Sequence, residues 1–135
     1  MKRPTVLVVE DDDDARRLLV AYLKSRSCMD VDAARDGIEA LHLLSTNEYA
    51  VLILDVMMPK MSGVDLLDSI HAMQSDRSVK ALSHPPTVIV MTSASEAVLS
   101  DETLHHHASG LVRRVLRKPL QIEQLADAVE ALARR

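Results

Sequence analysis

A run of five acidic side chains and a lone aspartate each follow an apolar run in this 135-residue chain. Glu10, Asp11, Asp12, Asp13 and Asp14 follow the apolar run Val6–Val9, and Asp55 follows a second run, Ala50–Leu54. Thr92 and Ser93 come directly after the run Thr87–Met91, and Lys118 lies just beyond Leu111–Leu116. These residue types suit phosphoryl chemistry. A carboxylate can attack phosphorus and form an aspartyl phosphate. A hydroxyl and an ammonium group can stabilise the charge on the transferring phosphoryl oxygens. Carboxylates crowded at one place repel one another, and a bound divalent cation is the usual remedy. Oxygen-only ligands that leave room for water favour Mg²⁺, with Mn²⁺ acceptable. Asp55 is thus the candidate nucleophile, Glu10 and Asp11 the candidate metal-site acids, and Thr92 and Lys118 the candidate phosphoryl-binding groups.

Helix capping competes with this reading for part of the acidic run. Carboxylates at a helix N-terminus gain about 0.3–1 kcal/mol each from exposed N–H groups and the helix dipole. That explains Asp12, Asp13 and Asp14. It explains Glu10 and Asp11 poorly, because they stand at the end of a strand rather than in a helical turn.

Groups so far apart in sequence meet only if the fold brings strand ends to one edge. Thr5–Val9 is a β-branched run expected as a strand buried on both faces. Asp12–Ser25 places Ala15, Leu18, Leu19, Tyr22 and Leu23 at helical spacing, predicting one core-facing stripe. Met29–Ala33 reads as a weaker strand, and Asp36 or Gly37 opens a helix through Asn47 with Ile38, Leu41 and Leu44 inward. After the buried strand Ala50–Leu54, the segment from Val56 to Ser62 reads as a loop feeding a helix over 64–73. The polar stretch from Gln74 to Pro86 is a long connection. Thr87–Met91 and Leu111–Leu116 are further strands, with helices expected at Glu96–His107 and Leu120–Ala133. Alternating strands and helices imply parallel pairing with right-handed crossovers, hence an α/β, doubly wound five-stranded sheet. In such sheets ligands bind beyond the carboxyl ends of the strands. All the candidate residues fall there.

Composition narrows the function classes. The chain is 47% hydrophobic and 27% charged, as expected of one globular domain spanning 1–135. Two Tyr and no Phe or Trp leave the core to aliphatic side chains and Met. The net charge of −4, with no clustered basic face, argues against nucleic-acid binding by this chain. Arg113, Arg114 and Arg117 read as solvated or partner-facing surface. Cys28 is the sole cysteine, so no intrachain disulfide can form, which suits a reducing compartment. No apolar stretch approaches the roughly 20 residues of a membrane span, nor a signal sequence, so a cytoplasmic location is expected. His105, His106 and His107 are adjacent, point about 100° apart on a helix, and so do not make a facial metal site.

At the motif residues the chain resembles the receiver domains of two-component response regulators. The likeness is carried by Val8-Val9-Glu10-Asp11-Asp12 with Arg16, by Asp55-Val56-Met57-Met58-Pro59 with Met61 and Gly63, by Met91-Thr92-Ser93, and by Leu116-Arg117-Lys118-Pro119. Gly37-Ile38-Glu39-Ala40-Leu41 also resembles the family's second-helix start. The resemblance runs the length of the chain and implies a flavodoxin-like, CheY-like (βα)₅ fold. It implies that Asp55 takes a phosphoryl group from a sensor histidine kinase or a histidine phosphotransfer protein. It implies that Asp11 and Asp55 ligate Mg²⁺, with the Met57 backbone carbonyl and, through water, Glu10. Thr92 and Lys118 would hold the phosphoryl oxygens, beside a cis Lys118–Pro119 bond, and small Ser93 would leave donor access open. Output would pass to a downstream effector through the fourth helix, fifth strand and fifth helix. Such a protein catalyses only its own phosphorylation and dephosphorylation. The chain departs from the family pattern at Val115, where Tyr or Phe is common, and at Gly110, one place further from Lys118 than usual.

Two other readings compete. A receiver-fold scaffold could bind partners without phosphorylation, a reading that only Val115 favours. An aspartyl-phosphate phosphatase resembles a pattern with a second acid two residues after the nucleophile, but Met57 stands there and cannot act as a general acid.

Overall fold

The apolar runs pair into one parallel sheet in the computed structural model, which describes residues 4–26, 29–55, 63–74, 84–93, 112–118 and 121–133. The strands are β1 (Thr5–Val9), β2 (Asp30–Ala34), β3 (Val51–Asp55), β4 (Thr87–Ser93) and β5 (Val112–Lys118). Among the described residues the helices are α1 (Asp13–Ser25), α2 (Gly37–Thr46), α3 (Gly63–Gln74) and α4 (Ile122–Ala133). Sheet order is β2-β1-β3-β4-β5, all parallel. The chain therefore moves outward from β1 to β2, then returns to β3 on the other side of β1. This reversal makes the crevice between the carboxyl ends of β1 and β3 the switch point of the sheet.

Strand alternation divides the core into two layers. Leu7, Val9, Leu52, Leu54, Val88 and Val90 face one layer with Ala40, Leu44, Leu66, Leu67 and Ile70 of α2 and α3. Val6, Val8, Val51, Ile53, Ile89 and Met91 face the other with Leu19 and Leu23 of α1 and Leu125, Ala126 and Val129 of α4. The central strands are apolar on both sides because helices cover both sides. Arg26, at the end of α1, donates from Nη2 to Asp127 (2.7 Å) and from Nε to Glu130 (3.1 Å), so the first and last helices are also tied by charge. No described helix is long and apolar enough to cross a membrane.

The doubly wound sheet agrees with the expectation from sequence, but its detail corrects several inferences. Leu18 and Ile38 are exposed, at 64% and 56% of their surface. The stripe of α1 centres on Leu19 and Leu23, with Val20 and Tyr22 at its margin. Leu18 is turned about 100° from Leu19. In α2 the inward positions are Gly37, Ala40 and Leu44, which turns Ile38 to solvent. The strands also run further than their apolar runs. Asp55, Thr92, Ser93 and Lys118 are the last residues of strands rather than the first residues after them. β2 is displaced by one residue, from the expected Met29–Ala33 to Asp30–Ala34. The expected helix at Glu96–His107 with its three histidines, Cys28, the residues from Val56 to Ser62, and most of the long connection after Gln74 lie outside the described residues.

β5 carries one irregularity. Its register on β4 runs from Val88↔Val112 to Ile89↔Arg114, so one residue of β5, Arg113, is extra. Such a bulge reverses the alternation of faces along the strand. Val112 and Val115, three residues apart, accordingly pack against the same core layer.

Tyr49, the buried aromatic of the α2–β3 connection, donates its hydroxyl to Asp32 Oδ2 at 2.8 Å. Burial, and then the Asp32 carboxylate, push its phenol above the ordinary value of 10.0. Because the folded value is raised, the contribution is intact below the unfolded value and is lost as pH climbs above it. Tyr49→Phe should cost about 1 kcal/mol at neutral pH. Urea unfolding at about pH 8 and about pH 11 should show the wild type losing stability that the variant does not lose.

Candidate functional site

The sheet delivers the candidate residues to one edge in register. β1 and β3 pair from Val6↔Val51 to Val9↔Leu54, so Glu10 and Asp55 follow at the same level. Asp55 itself pairs with Met91 of β4, one residue before Thr92. Ser93 pairs with Lys118 of β5. The arrangement follows from strands of matched length that all point the same way.

Within this edge the carboxylates of Glu10, Asp11 and Asp55 come together. One oxygen from each lies within 4.8 Å of the other two. Glu10 and Asp55 are only 3% and 5% exposed, and Thr92 is fully buried, whereas Asp11 faces solvent. Two of the three carboxylates are therefore buried and one is open to water. The donor set is all oxygen and hard, and it fits a small divalent cation that keeps part of its water shell. Of the expected site residues, Glu10, Asp11 and Asp55 are brought into one cluster. Thr92 and the backbone of Lys118 stand at the same edge, while Met57 and Pro119 lie outside the described residues.

The loop from β1 into α1 is held from both ends. The Glu10 amide donates to the Ala34 carbonyl of β2 at 3.2 Å. The Glu10 carbonyl accepts from Arg16 Nη1 at 3.0 Å, and Arg16 Nη2 pairs with Asp13. That hydrogen bond, and the charge behind it, hold the Asp13 carboxyl below the usual carboxylate range. Asp12 caps α1, its Oδ1 accepting from the amides of Asp14 (3.0 Å) and Ala15 (3.4 Å). Capping thus accounts for Asp12 and ion pairing for Asp13, whereas Glu10 and Asp11 belong to the acidic cluster. In the sequence Arg16 is a motif residue whose (i, i+3) spacing from Asp13 signals the ion pair, but no sequence feature signals a bond with a main-chain carbonyl.

Val115, at the position where Tyr or Phe is common in receivers, is half-buried against the α2–α3 core layer. Arg113 and Arg114 are exposed on the same strand.

Comparison with known proteins bears on the fold and the family. A family model described as the response regulator receiver domain matches residues 6–130. The transcriptional regulatory protein SrrA of Staphylococcus aureus is 32% identical over 132 residues, covering 96% of this chain and 48% of SrrA. The chain spans about half the length of the curated relatives it matches. Among solved structures, the receiver domain of the Francisella response regulator 1452 superposes with a TM-score of 0.76 at 28% identity, covering 98% of both chains. The response regulator TrrA of Thermotoga maritima, solved in complex with Mg²⁺–BeF, gives 0.73 at 26% identity, covering 96% of this chain and 98% of that one. The chain belongs to the response regulator receiver domain family, whose members work with histidine kinases and downstream effectors in phosphorylation-based two-component signalling.

Proposed function

We propose that Asp55 is the phosphoacceptor of this receiver, and that Glu10, Asp11 and Asp55 form the Mg²⁺ site that phosphorylation requires. One observation carries the reading: the three carboxylates converge within 4.8 Å at the switch point, with Asp55 buried at the end of β3. Like charges brought together, two of them on buried side chains, repel one another, and a divalent cation relieves that repulsion. The Mg²⁺–BeF complex of TrrA supports the same choice of metal; Mn²⁺ would serve by the same ligand chemistry.

In the proposed reaction an Asp55 carboxylate oxygen forms the bond to phosphorus as the phosphorus–nitrogen bond of a phosphohistidine breaks. The donor is a sensor histidine kinase or a histidine phosphotransfer protein, and the electron pair stays with its imidazole. The cation, when bound, neutralises phosphoryl oxygens. Thr92 and Lys118, from the ends of β4 and β5, would hold those oxygens, and the Met57 carbonyl would complete the metal site. Turnover is confined to the protein's own phosphorylation and dephosphorylation. Residues 1–135 act as one receiver unit, in the cytoplasm, without contacting nucleic acid themselves. Its output is altered binding of an effector. Val115 lacks an aromatic ring to rotate, so that output does not use the ring rotation common in the family.

The reading is tested by incubating the protein with acetyl phosphate and Mg²⁺ and measuring intact mass. The expected product is heavier by about 80 Da, one phosphoryl group, and EDTA should prevent its formation. No adduct under these conditions would leave a scaffold that works without phosphorylation. Catalytic turnover of phosphate esters would instead favour a phosphatase.

A further inference from the structure

We infer that Arg16 is the positioning residue of the acidic cluster, acting through the Glu10 main-chain carbonyl rather than through its charge. The inference rests on the proposed metal site and concerns how this chain builds it. The Arg16 side chain is only 13% exposed although it stands in the second turn of a surface helix. Its guanidinium uses two nitrogens on two different partners. Nη1 donates to the Glu10 carbonyl at 3.0 Å, and Nη2 pairs with Asp13.

The peptide unit between Glu10 and Asp11 is planar, so fixing its oxygen fixes the direction in which Asp11 leaves the strand. The preceding peptide is fixed as well, because the Glu10 amide donates to Ala34. Asp12 is held as the cap of α1. Asp11 therefore sits between a pinned peptide and a capping residue. Although it is the exposed member of the cluster, its carboxylate remains within 4.8 Å of the two buried ones. Without the Arg16 bridge, repulsion from Glu10 and Asp55 would drive Asp11 outward into water. A lysine at this position retains the charge but has no planar fork to span a carbonyl and a carboxylate together.

The two possible roles of Arg16 predict opposite results. As a bare cation near the cluster, Arg16 would oppose metal binding; its loss would tighten Mg²⁺, and Arg16→Lys would change nothing. As a positioning residue, its replacement by Lys weakens Mg²⁺ although the charge is retained. Groups that orient ligands typically contribute about 10–100-fold in metal affinity.

The test is calorimetric titration of Mg²⁺ into metal-free wild type, Arg16→Lys and Arg16→Gln, with thermal unfolding of each metal-free protein alongside. The expected result is weaker Mg²⁺ binding in both variants by about 10–100-fold, with cooperative unfolding retained in Arg16→Lys. Equal affinity in wild type and Arg16→Lys, or tighter binding in Arg16→Gln, overturns the inference and leaves the metal site standing. A wild type that binds no Mg²⁺ overturns the metal site and the inference with it.

Discussion

Asp55→Asn should take up no phosphoryl group from acetyl phosphate in Mg²⁺, while wild type gains about 80 Da. Asn has almost the same shape, so the end of β3 and its pairing with Met91 are preserved. What is lost is the anionic oxygen that attacks phosphorus. A side-chain amide is neutral and a poor nucleophile, so the loss should be complete rather than partial. Asp55→Glu separates chemistry from placement. It restores a carboxylate but carries it outward by one methylene, and a shift of about 1 Å from attack geometry can cost about 100-fold. Only a trace of adduct is expected. An adduct of wild-type size on Asp55→Asn would move the phosphoacceptor elsewhere and sink the proposal for this residue.

Much of this was legible in the sequence because parallel sheets gather function at one edge. Once Val6–Val9 and Ala50–Leu54 read as buried strands, Glu10, Asp11 and Asp55 had to fall at the same edge, and the register places them there. Strand ends were less legible. Apolarity stops at Leu54 and Met91, but the ladder of backbone hydrogen bonds does not depend on side-chain polarity and runs on through Asp55 and Ser93. The polar residues of the site are the ones that a hydrophobic pattern leaves out. Helix faces failed for a different reason. Leu18 and Ile38 fit an apolar count, but the buried phase of α2 uses Gly37 and Ala40, whose small side chains carry little weight in such a count.

Val115, where the family commonly has Tyr or Phe, lies on β5, whose bulge at Arg113 takes up one residue while the strand stays paired with β4. Beyond the bulge Lys118 lies opposite Ser93. The same bulge turns Val115 onto the core layer of α2 and α3. A short β-branched side chain packed there has no ring to swing and one strongly preferred rotamer in many backbones. Val115 thus belongs to that core layer and not to the cluster of Glu10, Asp11 and Asp55.

Asp11→Asn should separate the cost of the cluster from its use. Asp11 is exposed, so replacing it leaves the buried core alone. In the metal-free protein the change removes repulsion with two carboxylates at up to 4.8 Å. Each such pair is worth about 1 kcal/mol in water and more in a partly buried setting. Metal-free Asp11→Asn should therefore resist urea better than metal-free wild type, by about 1–2 kcal/mol. Loss of a charged ligand should weaken Mg²⁺ by at least the roughly 10–100-fold typical of groups that merely orient ligands. Added Mg²⁺ stabilises whichever folded protein binds it, so the order of stability should reverse as Mg²⁺ is raised. Arg16→Lys provides the contrast, because it leaves all three acidic charges in place and should weaken Mg²⁺ without the gain in metal-free stability. If Asp11→Asn shows neither that gain nor weaker Mg²⁺ binding, Asp11 is a solvated surface acid and the cation site cannot be the one drawn from these three residues.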